Sequence, residues 1–156
     1  MNTGLKIQRA ANGRGFILIE FAIAVPILLV MLLATAEVGR CLYQYNTLTK
    51  QVLSGVRYAV ANASRGSTGT VLLTDAVKAT VKNLVIYGNE VGTGNVILPS
   101  FLPANVQVDI AEPEYVRVAV DYSYVPIMGA TLPTFGIGND ISLAIPLKSS
   151  LLMRAL

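Results

Sequence analysis

The sequence predicts an α+β fold with a long N-terminal helix, a second short helix and a small three-stranded antiparallel sheet. Three observations lead to this prediction: an apolar run near the N-terminus, helical spacing of apolar residues up to residue 63, and alternating apolar residues in the last third. Hydrophobic residues make up 53% and charged residues only 13% of the 156 residues. Because a soluble domain typically carries about 25% charged residues, neither a wholly soluble nor a disordered chain is expected.

The first element is the apolar run at residues 16–36, which reads FILIEFAIAVPILLVMLLATA and contains one charged residue, Glu20. As a helix these 21 residues would be about 31 Å long, matching the roughly 30 Å hydrocarbon core of a bilayer. A core helix of a soluble domain is rarely apolar on every face over this length. We therefore predict a transmembrane helix over residues 16–37.

Residues 1–15 form a basic leader, because Lys6, Arg9 and Arg14 account for the whole formal net charge of +3. The positive-inside rule places this leader in the cytoplasm and residues 38–156 on the outer side of the membrane. A nucleic-acid interface would need basic residues clustered with aromatic ones on a folded surface. The sequence has no such cluster, so no nucleic-acid partner is expected.

Two residues inside the apolar run are unusual for a simple anchor. A carboxylate such as Glu20 costs roughly 2.5–3.5 kcal/mol at the centre of a membrane helix, so it is expected to have a partner and a function. The alternative is that Glu20 snorkels to the nearby cytoplasmic interface. Pro26 has no N–H group, so the carbonyl of Ala22 loses its helical hydrogen bond and a kink is expected near residues 22–26.

Three processing fates fit this N-terminus. The tripeptide Ala34-Thr35-Ala36 fits the small-residue site of a signal peptidase, which would release a secreted soluble binding domain beginning at Glu37. An uncleaved single-pass anchor would keep residues 1–15. Cleavage between Gly15 and Phe16 would remove the leader and retain the apolar run.

The long helix is predicted to continue to about residue 63, where Gly and polar residues at 62–69 end it. Apolar residues recur every three or four positions after the span: Val38, Leu42, Tyr45, Leu48, Val52, Val56 and Ala59. This stripe is expected to pack against the core of a small head, or alternatively to form an exposed surface for a partner helix. Cys41 is expected to pack as a small apolar residue, or alternatively to bridge two chains.

The head is predicted to contain the remaining elements. A second helix spans residues 74–87, capped by Thr74 or Asp75 and stopped by Gly88. After a loop at 88–105, strands at 106–110 and 116–124 form a hairpin around the turn at 112–114. A long loop at 126–138 precedes a third strand, at 141–147, which residues 151–153 extend. Pro146 places that strand at an edge or breaks it. The loops at 88–105 and 126–140 are candidate contact sites.

Catalytic and metal chemistry find no support in the sequence. With no His and one Cys, a zinc site, a Cys-His dyad, a Ser-His-Asp triad and an intrachain disulfide are excluded within one chain. The Gly-rich segment at 65–70 lacks the lysine of a phosphate-binding loop. Asp109, Glu112 and Glu114 lack the spacing of a Ca²⁺ loop. No enzyme activity, cofactor, metal or small-molecule substrate is expected.

The N-terminal third resembles a known family. Gly15-Phe16-Ile17-Leu18-Ile19-Glu20 looks like a prepilin signal, in which a basic leader and Gly precede an apolar helix with Glu at its fifth position. The continuation Glu20-Phe21-Ala22, Pro26 and Glu37-Val38-Gly39-Arg40 resembles the TadE-like pseudopilins of tight-adherence (Tad) pilus systems. Tyr45-Asn46-Thr47-Leu48 and Gly55-Val56-Arg57-Tyr58-Ala59 are also similar to that family. The resemblance covers residues 14–63.

The resemblance implies a minor pilin or pseudopilin that a prepilin peptidase cuts after Gly15. Phe16 would become the new N-terminus, and Glu20 would pair with the α-amino group of its own or a neighbouring subunit. The partners implied are the peptidase, other pilins, the assembly machinery and lipid of the bacterial inner membrane. The head would lie in the periplasm, and the protein would act in pilus biogenesis and adhesion. It would either become part of the extracellular pilus or stay in the membrane as an assembly factor. Ordinary type IV pilins and type II secretion pseudopilins share the first part of the pattern and remain alternatives.

Overall fold

The computed structural model describes residues 12–65, 71–127, 129–132 and 138–155, so most of the leader lies outside the described residues. The elements in chain order are α1 (Asn12–Ala61), β1 (Ser64–Arg65), β2 (Val71–Leu72), α2 (Asp75–Tyr87), a 3₁₀ turn (Pro103–Asn105), β3 (Val106–Glu112), β4 (Tyr115–Ser123), β5 (Thr131–Leu132), β6 (Ile141–Ser142) and β7 (Pro146–Arg154). The predicted α+β fold with one long helix, one short helix and a three-stranded antiparallel sheet is confirmed. The chain divides into two compact units between Val38 and Gly39.

The first unit is the N-terminal part of α1, which begins at Asn12 rather than near Phe16. Most of its large apolar side chains from Phe16 to Leu33 are exposed. The helix continues through Pro26. The exposed apolar surface is what the uniformly apolar run predicts, since no face of it is distinguished for packing against a core.

The second unit, from Gly39 onward, is called the head. One face of its sheet packs with α2 against the second half of α1. Leu48, Val52, Val56 and Ala59 of α1 have no exposed surface, and neither do Val81 and Val85 of α2 or Val116 and Val118 of β4. Gly55 allows this close packing: a Cβ atom at that position would lie 2.6 Å from Cγ2 of Val85.

The predicted apolar stripe on α1 was expected to pack in the core of the head. This prediction is correct for its last four residues and wrong for its first three. Val38, Leu42 and Tyr45 are exposed by 60%, 57% and 42% respectively. The buried side chain on this turn is instead Gln44, with 3% exposure. Helical spacing identifies residues that share a face, but it does not show whether a protein core, lipid or a partner covers that face.

The sheet has the strand order β3-β4-β7, with antiparallel pairs throughout. Val106 pairs with Val120 and Val108 with Val118, which confirms the predicted hairpin. Its register shifts between Ile110 and Glu112, just before the turn. Alternation along β4 turns Val116, Val118, Val120 and Tyr122 to the core, as predicted.

The prediction of the third strand is wrong in its position. Residues 141–142 form a short pair with β5, inside a region predicted in part as loop, and the third strand runs from Pro146 to Arg154. Pro146 begins this strand, where its missing N–H is tolerated, and β7 is an edge strand as predicted. Ser149 occupies a buried position between Leu147 and Leu151, which hides the alternation in the sequence.

The second helix matches its prediction within one residue. The hydroxyl oxygen of Thr74 accepts a hydrogen bond from the backbone N–H of Val77 at 3.3 Å. Gly88 adopts a left-handed conformation with φ of 73°, and its N–H donates to the carbonyl of Leu84. These two residues begin and end α2 because they satisfy backbone groups that the helix leaves without partners. The short β1–β2 pair, by contrast, was not predicted: β1 lies in the helix-breaking segment at 62–69, and β2 lies just after it.

Candidate functional site

The predicted processing site lies within the first turns of α1. Gly15 and Phe16 are both helical, and the side chain of Phe16 is exposed by 71%. A Cβ atom at Gly15 would have no neighbour within 4 Å. The bond between these residues is therefore on an open surface of the described structure, and its cleavage stays a prediction.

Glu20 is exposed on the same helix, one turn after Phe16. Ile17, Phe21 and Ala24 line a shallow depression of about 240 Å³ beside its side chain. No ion pair of Glu20 occurs among residues 12–65 and the other described parts of the chain. The carboxylate thus lies beside apolar side chains of its own helix, and its pairing with a positive group stays a prediction.

Pro26 lies in the middle of the apolar part of α1. The backbone stays helical on both sides, although the carbonyl of Ala22 has no N–H donor at position 26. A kink at this point stays a prediction.

A buried polar cluster at the start of the head was not predicted. The hydroxyl of Tyr122 donates to the carbonyl of Pro99 at 2.8 Å and lies 3.3 Å from Oε1 of Gln44. The ring of Phe101 meets the ring of Tyr122 edge to face, with centroids 5.5 Å apart. These contacts join the 88–105 loop, β4 and α1 at one point. The sequence signal was the spacing of Cys41, Gln44 and Leu48, which follow the helical pattern of a buried face.

The environment of Tyr122 also affects its ionisation. Burial raises the pKa of the Tyr122 hydroxyl above its usual value of 10.0, and the nearby positive charge of Arg40 lowers it. Burial is the larger effect, because the phenolate would lose its hydration inside the head. The hydroxyl is therefore a hydrogen-bond donor at neutral pH.

The acidic residues of the hairpin are surface ion-pair partners. Asp109 pairs with Arg117 at 3.4 Å, and Glu114 pairs with Arg154 at 2.6 Å. Within the described ranges, no group of three or more Cys, Asp or Glu residues is arranged to hold a metal ion. A groove of about 530 Å³ between α2 and β3 is bordered by Asp75, Lys78, Lys82 and Asp109. These side chains carry charges of both signs and face solvent. The groove therefore does not favour a ligand of either charge. The Gly-rich residues 66–70 lie outside the described residues.

Cys41 is half-buried and packs against the core of the head. This confirms the interpretation of Cys41 as a small packing residue. A bridge between two chains is not tested by this structure.

One helix is long and apolar enough to cross a membrane by length and composition. It is the described part of α1 from Gly15 to Ala61, and its most apolar window of 18 residues has no buried residue. Because this helix lies near the N-terminus, a signal sequence would meet the same criterion.

No curated protein and no solved structure matches the chain. The profile of the family described as TadE-like protein matches residues 15–65. This match and the exposed apolar helix fit a protein associated with a Tad pilus. The resemblance predicted from the motifs is therefore confirmed: residues 15–65 of this chain, about a third of its length, are similar to the TadE-like family.

Proposed function

We propose that the protein is a minor pilin or pseudopilin of a Tad-type pilus assembly system. A prepilin peptidase removes residues 1–15, and the apolar helix that begins at Phe16 holds the protein in the inner membrane with its head in the periplasm. The helix then joins other pilins during pilus assembly. The protein has a structural role in adhesion and catalyses no reaction.

The observation that carries this proposal is the exposed apolar surface of α1 within the TadE-like match. Twelve large apolar side chains from Phe16 to Leu33 are between 38% and 71% exposed. Exposed apolar area of this extent costs about 25 cal/mol per Å² in water, so it needs lipid or neighbouring helices around it. A secreted domain beginning at Glu37 would lack this surface, and its release is the outcome that opposes the proposal.

The place of Glu20 supports cleavage after Gly15. Residues 16 and 20 lie on one face of α1, since positions four apart are neighbours on a helix. Cleavage would create an α-amino group at Phe16 close to the carboxylate of Glu20. Opposite charges that pair in this way avoid the cost that either alone would have in lipid, and the same pairing between subunits would fix their register.

The mature N-terminus tests the processing step. N-terminal sequencing or mass spectrometry is applied to membrane, secreted and sheared-pilus fractions of cells with the complete pilus machinery. We expect Phe16 as the first residue in the membrane or pilus fraction. Glu37 as the first residue in the secreted fraction would refute the proposal, and an intact residue 1 would indicate a plain anchor.

Two variants distinguish cleavage by a prepilin peptidase from cleavage by a signal peptidase. Gly15→Leu is expected to abolish processing, because it blocks the bond at Phe16. Ala36→Leu removes the small residue that a signal peptidase requires, and it is expected to leave processing unchanged. The reverse result would indicate a secreted domain.

A charge variant tests assembly. Glu20→Gln keeps the shape of the side chain and removes its charge, and we expect normal processing with impaired piliation. Glu90→Gln, at an exposed position of the head, is the matched control and should leave piliation unchanged. Normal piliation in Glu20→Gln would contradict the pairing role.

A further inference from the structure

We propose that copies of the head join edge to edge, with β3 of one copy beside β7 of the next. This contact extends the three-stranded sheet from one molecule into its neighbour. The partner is therefore a second copy of this chain. The argument uses only contacts within the head, and it does not depend on the proposed function.

Both edges of the sheet are open. β3 and β7 are its outer strands, and β4 lies between them. Among the described residues, the backbone groups of residues 107–112 and 146–154 bond only to β4. Since a strand can bond to a neighbour on each side, the outward N–H and C=O groups of both strands are without a protein partner. An edge of this kind can pair with a further strand.

Two features that commonly protect an edge lie at the ends of these strands. Pro146 is the first residue of β7, and the register shift in β3 lies between Ile110 and Glu112. A proline or a bulge interrupts pairing only where it occurs. The middle of each strand is therefore available for pairing.

The charges of the two edges are opposite in sign. β3 carries Asp109 and Glu112 and no basic residue, whereas β7 carries Lys148 and Arg154 and no acidic residue. All four side chains are exposed. Pairing of β3 with β7 brings opposite charges together, whereas pairing of β3 with β3 or of β7 with β7 brings together charges of one sign. The charges therefore favour a contact between two different edges.

The register of the sheet shows which residues would meet. Tyr115 of β4 pairs with both Glu112 and Arg154, so these two residues lie at the same height along the strands. A neighbour in the same orientation that continues the sheet without a shift therefore places its Glu112 beside Arg154. Glu112 has no ion pair within the described part of the chain, whereas Arg154 already pairs with Glu114. The contact thus gives Glu112 a positive partner.

The head has room for this contact on both sides. A groove of about 530 Å³ runs beside residues 106–109 of β3 and separates this strand from α2. A further strand would lie about 4.8 Å from β3, within this groove. On β7, Leu151 and Met153 are only half-buried, although they pack against the core. They leave space below β7 for the α2 helix of the neighbour.

A contact between two different edges leaves one edge of each outer copy unused. The same contact can therefore be repeated, and it gives an open assembly rather than a closed dimer. A growing filament needs contacts of this type, so the inference agrees with the proposed function without relying on it.

Disulfide cross-linking of the full chain tests the contact. Two copies with different epitope tags, both carrying Cys41→Ser, are produced together in cells with the complete pilus machinery. One copy carries Gln107→Cys on β3 and the other carries Ser150→Cys on β7. Both native residues are exposed, and both pair with Ala119, so they lie at the same height. We expect oxidation to give a dimer that contains both tags.

A matched control separates this contact from random collision. Ser54→Cys changes another exposed serine, on α1, and replaces Ser150→Cys in the second copy. We expect much less mixed dimer from this combination. Equal yields from both combinations would refute the contact. A dimer formed mainly between two copies of Ser150→Cys would show β7 paired with β7 and would also refute it.

A charge variant provides a second, independent measurement. Glu112→Lys, added to the copy with Gln107→Cys, turns attraction into repulsion and should lower the yield of mixed dimer about two- to tenfold. Glu90→Lys is the same change at an exposed position of a loop and should leave the yield unchanged. Unchanged thermal unfolding verifies the fold of each variant. Equal yields from the two lysine variants would contradict the proposed selection by charge.

The mature N-terminus of the same protein distinguishes failure of this inference from failure of the proposed function. Phe16 as the first residue without a mixed dimer refutes edge pairing and leaves the proposed function intact. A mixed dimer of a protein that begins at Glu37 supports edge pairing and overturns the proposed function. A protein that begins at Glu37 and forms no mixed dimer overturns both.

Discussion

Gly55 tests the packing of the head most directly, because adding a single methyl group there has opposing effects. Gly55→Ala places a Cβ atom 2.6 Å from Cγ2 of Val85 and 3.4 Å from Cγ1 of Val81. The first distance is far inside van der Waals contact, so α2 or its side chains must move. Gly39, on the same helix, would bring its Cβ within 4 Å of nothing, so Gly39→Ala is a matched control without the clash.

Both substitutions gain helix propensity, but only Gly55→Ala also overpacks the core. Replacing Gly by Ala inside a helix stabilises it by roughly 0.8–1.0 kcal/mol. Overpacking of a well-packed core costs typically about 1–3 kcal/mol. We therefore expect Gly39→Ala to stabilise the protein by up to about 1 kcal/mol, and Gly55→Ala to be less stable than Gly39→Ala by about 1–3 kcal/mol.

Urea unfolding of the full chain in detergent micelles, followed by near-ultraviolet circular dichroism of its tyrosines, measures both free energies. A double-mutant cycle with Val85→Ala identifies the cause, since removing Cγ2 should cancel the clash and make Gly55→Ala neutral or stabilising in that background. If Gly55→Ala stabilises the wild-type protein as much as Gly39→Ala does, the close packing of α1 against α2 described above is wrong.

The remaining predictions concern single side chains of the head. Tyr122→Phe removes the bond to Pro99 and should lower the free energy of unfolding by about 1–2 kcal/mol in urea melts. Since the raised pKa of Tyr122 is a property of the folded state, its stabilising effect is complete below pH 10 and is lost as the pH rises through the folded pKa; stability should fall less steeply above pH 10 in Tyr122→Phe than in the wild type. Thr74→Ala removes the cap on Val77 and should cost about 1 kcal/mol, whereas Thr74→Ser should cost almost nothing. Because Cys41 packs in the head, non-reducing gels should show a monomer; a dimer that Cys41→Ser abolishes would contradict this.

The elements that the sequence predicts well have a local cause. Thr74 and Gly88 bound α2 through hydrogen bonds and a backbone conformation that depend on neighbouring residues only. The β3–β4 hairpin follows from strict alternation on both sides of a short turn. Such features can be predicted because no distant part of the chain has to be known.

The failures have a different cause, which is competition between distant partners for the same strand or helix face. Ile141 and Leu143 alternate like a strand, yet residues 141–142 pair with β5, and the third strand of the sheet begins at Pro146. Ser149 is buried there because β4 supplies its neighbours. No local feature of the sequence shows which of the two segments pairs with β4.

The candidate site shows the same division. Gly15, Phe16 and Glu20 were assigned from the resemblance of a short local motif to a prepilin signal, and their roles stay predictions. The Tyr122–Gln44–Pro99 cluster joins residues from three separated segments, so only the structure reveals it. Gln44 has the helical spacing of a buried residue relative to Leu48. A polar side chain is nevertheless not predicted to be buried unless its hydrogen-bond partner, here Tyr122, is known.

On α1, the polar residue Gln44 is buried while its apolar neighbours are exposed, and this pattern supports assembly through α1. The head buries an amide side chain at Gln44 and leaves Leu42 and Tyr45 more than 40% exposed on the same helical turns. An isolated soluble head would gain free energy from the opposite choice, since apolar side chains stabilise a core more than polar ones do. This arrangement is the one expected if something outside the chain covers Leu42 and Tyr45 during assembly. Their polar substitution, Leu42→Gln with Tyr45→Gln, should therefore leave urea unfolding of the monomer unchanged within about 0.5 kcal/mol, as for ordinary surface positions, and reduce piliation. A loss of monomer stability without loss of piliation would show that this face belongs to the core of the head and not to the assembly.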